Sequence, residues 1–301
     1  MNQNEAQLRG PLGQRAIIVG LGLIGGSLAA ALKLNGLYAE VLGVDTDRGI
    51  LADALDRGLI DVGVTLLHPV VADADLIVLA TPVRQIVAIL RQIGPAIKPG
   101  AIVLDVGGTK EQIVSAMNAL PTHVQAMGGH PMSGKNTSGL EHADAQVFRD
   151  KIFILTPTAH TSFTTQAFVE DLVLAIGARP LVLDAVQHDQ VVALISHLPR
   201  LLPLALIDAA QAAGGSLAWA VAAGGFREST KKATDNVPMW LDVLLTNPHG
   251  IVTALRAMQE QLDKLAQQIA AGDEVALRQK LEQAATTWND HFGTADPDAG
   301  R

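Results

Sequence analysis

The stretch Ala16-Ile-Ile-Val-Gly-Leu-Gly-Leu-Ile-Gly-Gly-Ser27 decides how the rest of the chain is read. Four apolar residues lead into Gly20, Gly22 and Gly25, spaced G-x-G-x-x-G, and an Ala/Leu run follows. This pattern predicts a buried strand, a tight glycine turn and a helix start. Gly20 allows the turn, Gly22 lets a pyrophosphate approach the backbone, and Gly25 lets helix and strand pack closely. Leu23 and Ile24 open the helix, whose free N–H groups and positive end face that phosphate. A membrane span over residues 16–32 is the competing reading. The glycine spacing, the short run and Lys33 count against it.

Moving outward, Glu40–Asp45 reads as a second strand ending in an acidic residue about twenty residues past the turn, where NAD sites hold the ribose hydroxyls. Asp45 would also repel a 2′-phosphate, which favours NAD over NADP. Asp47 is the better placed cap for a helix from Arg48 to Arg57. Further strands are predicted at 75–80, 101–105, 124–126, 151–156 and 180–183, with helices between them. Thr81-Pro82 and Gly107 follow two of these strands and join Gly20 and Asp45 as cofactor-side candidates. Alternating strands and helices imply a Rossmann-type, doubly wound parallel sheet, whose ligands lie beyond the carboxyl ends of the strands.

The expected layout is a disordered tail over 1–14, a dinucleotide-binding domain over 15–184, a helical substrate and dimerisation domain over 185–293, and a tail over 294–301. In the run from Val186 to Ala210, Pro199 and Pro203 are each expected to kink or end a helix. No strand is expected beyond residue 184. Helices this apolar must bury more than one face, so a homodimer through the C-terminal helices is expected. The net charge of −8, with no basic block, speaks against nucleic acid as a partner. There is no cysteine, which excludes disulfides and thiolate chemistry. The polar N-terminus has no apolar signal segment, so a cytoplasmic protein without membrane attachment is expected. No His/Asp/Glu cluster has metal-ligand spacing, so no metal is expected.

Of nine histidines, His130 stands out. It sits in Gly128-Gly-His-Pro-Met-Ser-Gly134, read as a loop after a strand of the nucleotide domain, where a substrate facing the nicotinamide belongs. It is a candidate general base, or a residue that ties down a turn. His188, followed by Asp189, reads as a domain-junction residue rather than a catalyst. His197 and Arg200 share a helix face beside Pro199. They form either an internally satisfied pair or an anion site for a substrate carboxylate. Lys231 and Arg227, near a glycine loop, are either additions to that site or a solvated helix start.

Taken together, Gly20-Leu-Gly-Leu-Ile-Gly-Gly-Ser-Leu28, Thr81-Pro82, Asp105-Val-Gly-Gly-Thr-Lys110, Gly129-His-Pro-Met-Ser-Gly134, His188-Asp189, Ser196-His-Leu-Pro199, Gly224-Gly-Phe-Arg-Glu-Ser-Thr230 and Met239-Trp240 resemble the prephenate/arogenate dehydrogenase family of tyrosine biosynthesis. The resemblance spans about residues 15–292. It implies NAD-dependent oxidative decarboxylation of prephenate to 4-hydroxyphenylpyruvate, with His130 taking the hydroxyl proton and His197, Arg200, Lys231, Thr109 and Trp240 around the substrate. Arogenate or an amino-substituted analogue is the alternative substrate. A 3-hydroxyacid-type dehydrogenase is the alternative enzyme, disfavoured because no lysine occurs between Lys151 and Lys231. Four positions depart from the family pattern. Gly108 stands where serine is common, leaving Thr109 to supply the hydroxyl. Arg200 stands for a second histidine, Lys231 for an arginine, and Asn136, after Lys135, for an acidic residue. The carboxylate anchor is therefore expected to have moved from Lys231 to Arg200.

Overall fold

The structure is a computed structural model that describes residues 12–133, 137–234 and 236–293. The chain opens with β1 (Gly13–Val19), α1 (Leu23–Leu34), β2 (Tyr38–Val44), α2 (Arg48–Asp56) and β3 (Val62–Val64). It continues with β4 (Leu76–Leu79), α3 (Val83–Ile93), β5 (Ile102–Asp105), α4 (Glu111–Met117) and β6 (Gln125–Pro131). Then come β7 (Ile152–Pro157), α5 (Phe163–Ala175) and β8 (Arg179–Val182). The eight strands form one sheet in the order β3-β2-β1-β4-β5-β6-β7-β8. All neighbours run parallel except β6 and β7, which are antiparallel.

The strands are apolar along their length because helices cover both faces. In β1, Ala16 and Ile18 face a core shared with Leu28, Leu32 and Phe153, while Ile17 and Val19 face the opposite core with Ile86, Leu90 and Met117. The side-chain alternation of a strand thus divides one apolar run between two layers.

Two expectations on this sheet need correction. Gly13 and Gln14 are not part of a tail. Gly13 pairs with Tyr38, and the Gln14 N–H donates to Asp75 Oδ2 at 2.6 Å. The remaining tail residues, 1–11 and 294–301, lie outside the described residues, as do Lys135 and Asn136. His130 is in β6, opposite Ile154, rather than in a loop. The two glycines before it allow this: a Cβ on Gly129 would stand 2.5 Å from the Asp105 carbonyl oxygen, so only glycine lets β6 lie so close to the end of β5.

The helical part begins with α6 (Ala185–Val192), capped by Asp184 accepting from the Gln187 N–H. A π-helical turn over Ala193–His197 leads into α7 (Leu198–Val221). Pro199 has no N–H to give the Ile195 carbonyl, and the wider π turn falls where that bond is missing. Pro203, expected to kink or end a helix, does not end this one. Its missing N–H orphans only the Pro199 carbonyl near the helix start, and the break in α7 comes instead at Gly215, φ 49°. There follow α8 (Gly224–Thr230), α9 (Val237–Thr246), α10 (Pro248–Ala270) and α11 (Glu274–Phe292). Residues 251 onward, comprising most of α10 and all of α11, form a separate compact unit. In it Asp273 caps α11 and Trp288 meets Phe292 at a ring distance of 5.9 Å.

Candidate active site

Gly20, Gly22 and Gly25 stand at the carboxyl end of β1 in three different roles. Gly20 has φ +90°, a left-handed backbone that other residues adopt only with strain. A Cβ on Gly25 would stand 1.9 Å from the Gly20 carbonyl oxygen, so the strand-to-helix packing excludes any side chain. Gly22 faces open space, with nothing within 4 Å of where a Cβ would be. It is the N-cap of α1 and no side chain caps the helix there. The first N–H groups of α1, at Leu23, Ile24 and Gly25, therefore have no intrahelical partner and form a bare cradle for a phosphate.

Asp45 lies just past β2 with its carboxylate held from two sides. Oδ2 accepts from the Leu21 N–H at 3.0 Å and Oδ1 from the Asp47 N–H at 3.0 Å. Each oxygen keeps a lone pair for a ribose hydroxyl, and the charge opposes a 2′-phosphate. Asp47 caps α2 through the Gly49 N–H at 2.7 Å, as expected. Thr81, past β4, has a buried hydroxyl without a partner. Pro82 is the N-cap of α3, and Gly107 donates to Asp105 Oδ2 at 2.7 Å past β5. All of these lie along one edge of the sheet, so the residues fit a dinucleotide.

His130, near the end of β6, is on the same edge. Its Nδ1 is 2.8 Å from His188 Nε2, and His188 Nδ1 is 2.7 Å from Asp189 Oδ1. His188 and Asp189 are buried. Asp189 also accepts from the Lys110 N–H at 2.7 Å and the Glu111 N–H at 3.0 Å, at the N-terminal end of α4. His130 Nε2 makes no hydrogen bond to any described residue. Burial first, then the proximity of His188, Lys110 and His197, holds the His130 imidazole well below the usual histidine range, so it is neutral at pH 7. His188 is also lowered, mainly by burial, with its Asp189 bond opposing.

Beneath His130 lies the fully buried pair of Lys110 and Asp105. The Lys110 ammonium contacts Asp105 Oδ2 and donates to the Gly129 carbonyl at 2.7 Å. Asp105 Oδ1 accepts from the Gly129 N–H at 3.1 Å. Gly129, the residue just before His130, is therefore held by the ion pair at both its N–H and its C=O.

His197 is buried, with its ring edge-on to Trp240 at 6.2 Å. Burial lowers it to about 4, so it too is neutral. The Arg200 guanidinium lies 5.0 Å from the Trp240 ring centre, a cation–π contact, and reaches the Lys232 carbonyl at 3.4 Å. Arg200 and Lys232 are the charged residues lining a 180 Å³ cavity that also includes Leu204, Trp240 and Leu244. Lys231 and Arg227 are exposed. Thr109 does not offer its hydroxyl to a ligand. It is buried and donates to Thr246 Oγ1 at 2.9 Å, tying the β5–α4 loop to α9.

Comparison with known proteins gives these features a common origin. The family models "Prephenate dehydrogenase, nucleotide-binding domain" and "Prephenate dehydrogenase, dimerization domain" match residues 28–182 and 184–283. The chain belongs to the prephenate dehydrogenase family. A prephenate dehydrogenase from Lactococcus lactis is 34% identical over 90% of this chain and 75% of its own. A cyclohexadienyl dehydrogenase from Zymomonas mobilis is 31% identical over 85% of this chain and 88% of its own. The structure of prephenate dehydrogenase from Aquifex aeolicus, in complex with hydroxyphenyl propionate and NAD+, superposes with a TM-score of 0.85 at 28% identity. It covers 92% of this chain and 98% of that one. The protein is thus an NAD-dependent dehydrogenase.

As a prephenate dehydrogenase, this chain shows its departures in a physical setting. A Cβ on Gly108 would meet only Val243 Cγ2, at 3.9 Å, so packing does not impose the loss of the serine hydroxyl. Sequence reasoning gave His188 no role beyond the domain junction. The available signal was an adjacent histidine and aspartate entering a strongly apolar helix, where both must find partners when buried.

Proposed function

We propose that this prephenate dehydrogenase acts on prephenate with His130 as its general base, Gly20–Gly25 and Asp45 holding NAD, and Arg200 anchoring a substrate carboxylate. The observation that carries the reading is the bare Nε2 of a neutral His130 on the sheet edge that also bears the dinucleotide turn. Bound NAD supplies the acceptor for the hydride that leaves the hydroxyl-bearing ring carbon. His130 Nε2 takes the hydroxyl proton as the carbon–oxygen double bond forms. Loss of the ring carboxylate as CO2 returns its bonding pair to the ring, and the aromatic product recovers the proton on its oxygen. Buried Lys110 and the neutral neighbours His188 and His197 keep His130 in its basic form through this cycle.

A cavity lined by Arg200 and Lys232, with no acidic residue among the described lining, suits the dianion prephenate. Arogenate would bring an ammonium group toward these cations. The exposed apolar residues Leu204, Leu206 and Leu217 of α7 support a homodimer that covers them.

The test is a substrate panel read as NADH or NADPH formation. Prephenate with NAD is expected to give the highest kcat/KM, and absence of turnover with every substrate and cofactor pair would sink the reading. Arg200→Ala should raise KM for prephenate by about 10- to 100-fold, the worth of a charge-assisted hydrogen bond, whereas Lys231→Ala should change it little. Equal effects would remove Arg200 as the anchor.

A further inference from the structure

The chemistry above uses one ring nitrogen of His130. It counts His188 only as a neutral neighbour and gives no part to the other nitrogen or to Asp189. We infer that His188 and Asp189 are positioning residues that fix His130 as its Nδ1–H tautomer and share the charge it gains on taking the substrate proton. The inference rests on the reading of His130 as the base.

The geometry determines the tautomers in sequence. Asp189 accepts backbone N–H groups from Lys110 and Glu111, as an ionised carboxylate at a helix N-terminus does, and it has no proton to donate. His188 Nδ1, 2.7 Å from Asp189 Oδ1, must therefore carry the hydrogen of that bond. A neutral His188 then has a bare Nε2, which can only accept. The partner 2.8 Å away, His130 Nδ1, must be the donor. His130 Nε2 is consequently left with a lone pair and no partner among the described residues, in the state a general base needs.

When the O–H bond of the substrate breaks, the new N–H bond forms at Nε2 and His130 becomes an imidazolium. Its Nδ1–H points along the bond to His188, whose far side is bonded to the Asp189 carboxylate. The other charged or titratable groups facing this pair are Asp105 and Lys110 from the end of β5 and the loop after it, and His197 from the π turn. Lys110 and Asp105 neutralise each other, which leaves Asp189 as the uncompensated negative charge nearest the imidazolium. Asn247, whose amide donates to the Asp189 carbonyl at 2.7 Å, is neutral.

Three measurements test this. Nitrogen-15 NMR of histidine-labelled wild type at pH 7 should show His130 protonated on Nδ1 and bare on Nε2. Asp189→Asn removes the negative charge that answers the imidazolium and turns an amide hydrogen toward either His188 Nδ1 or the Glu111 N–H, so it should lower kcat about 10²- to 10⁴-fold, the larger loss following a reversal of the tautomers as in hydrolytic triads. KM for prephenate and affinity for NAD should stay near wild type. His188→Gln keeps an acceptor for His130 Nδ1 and His188→Leu does not, so the glutamine variant should retain at least about tenfold more kcat.

A merely structural role would lower the melting temperature of both position-188 variants without separating their kcat values. Proton on Nε2 of wild-type His130, Asp189→Asn within tenfold of wild type, or equal kcat for the two position-188 variants would each overturn the inference. If Asp189→Asn does not fold, the position-188 pair and the wild-type spectrum decide. Failure of wild-type turnover on prephenate would count against the substrate reading instead, because the tautomer is observed without turnover.

Discussion

His130→Asn is expected to lower kcat by about 10²- to 10⁴-fold while leaving NAD affinity nearly unchanged. Asparagine can still meet His188 Nε2 through its amide, so the β6 register and the buried bond survive, but it presents no basic nitrogen to the substrate. The dinucleotide cradle on β1 and β2 is untouched by the change. The same residue is expected to set the pH profile. A base must be unprotonated to work, and burial with its neighbours holds His130 well below the usual 6.5. The acid limb of kcat/KM for the wild type should therefore lie below pH 6.5, with activity flat across neutral pH. Turnover within tenfold of wild type in His130→Asn would remove His130 as the base. An acid limb at or above pH 6.5 would contradict the environment described for it.

The largest stability effect is expected for Lys110→Met. The lysine is fully buried, and its ammonium answers both the Asp105 carboxylate and the Gly129 carbonyl. Burial pushes Asp105 up and Lys110 down, and their contact opposes both shifts. Removing the cation leaves a buried carboxylate with only N–H donors, an uncompensated charge that costs about 3–5 kcal/mol. Chemical denaturation should show that loss. The double variant Asp105→Asn/Lys110→Met removes both charges, so it should be less destabilised than the single change. A second readout is kinetic. Lys110 depresses His130, so its removal should move the acid limb to higher pH. A single variant within 1 kcal/mol of wild type, or a double variant worse than the single, would show that the pair does not hold this edge together.

The nucleotide-binding half was legible because its signals are local. Leu23–Leu34 and Val83–Ile93 are helices between strands, as the pattern predicts, since a glycine turn or a proline starts each of them. Gly20, Gly22 and Gly25 have distinct steric reasons that can be stated without a structure. The site itself was less legible. The Gly-Gly before His130 reads as a loop signal, and only the neighbour β7 and the close approach of β5 turn it into a strand. Thr109 looks like a substitute for the hydroxyl lost at Gly108, but its partner is Thr246, 137 residues away. His188 and Asp189 read as a junction because their partners are His130 and the start of α4, 58 and about 79 residues distant in sequence. Pro203 signals a break, yet at that position it orphans only one carbonyl of the first turns. For His130, Thr109, His188 and Asp189 the deciding contact is long-range, and no local pattern encodes it.

Asp189 ends the chain of bonds behind His130, and it also accepts the two N–H groups that open α4. One carboxylate is thus anchored in α6 and satisfied by the first half of the chain. If the seam between α4 and α6 loosens, Asp189 meets water, His188 is free to turn over, and His130 loses its assigned nitrogen. A molecule open at that seam could still hold its dinucleotide on β1 and β2, yet it would have no poised base. If His130 is the base, the arrangement is an interlock: hydride chemistry would be enabled only in a chain whose two halves are already seated on each other.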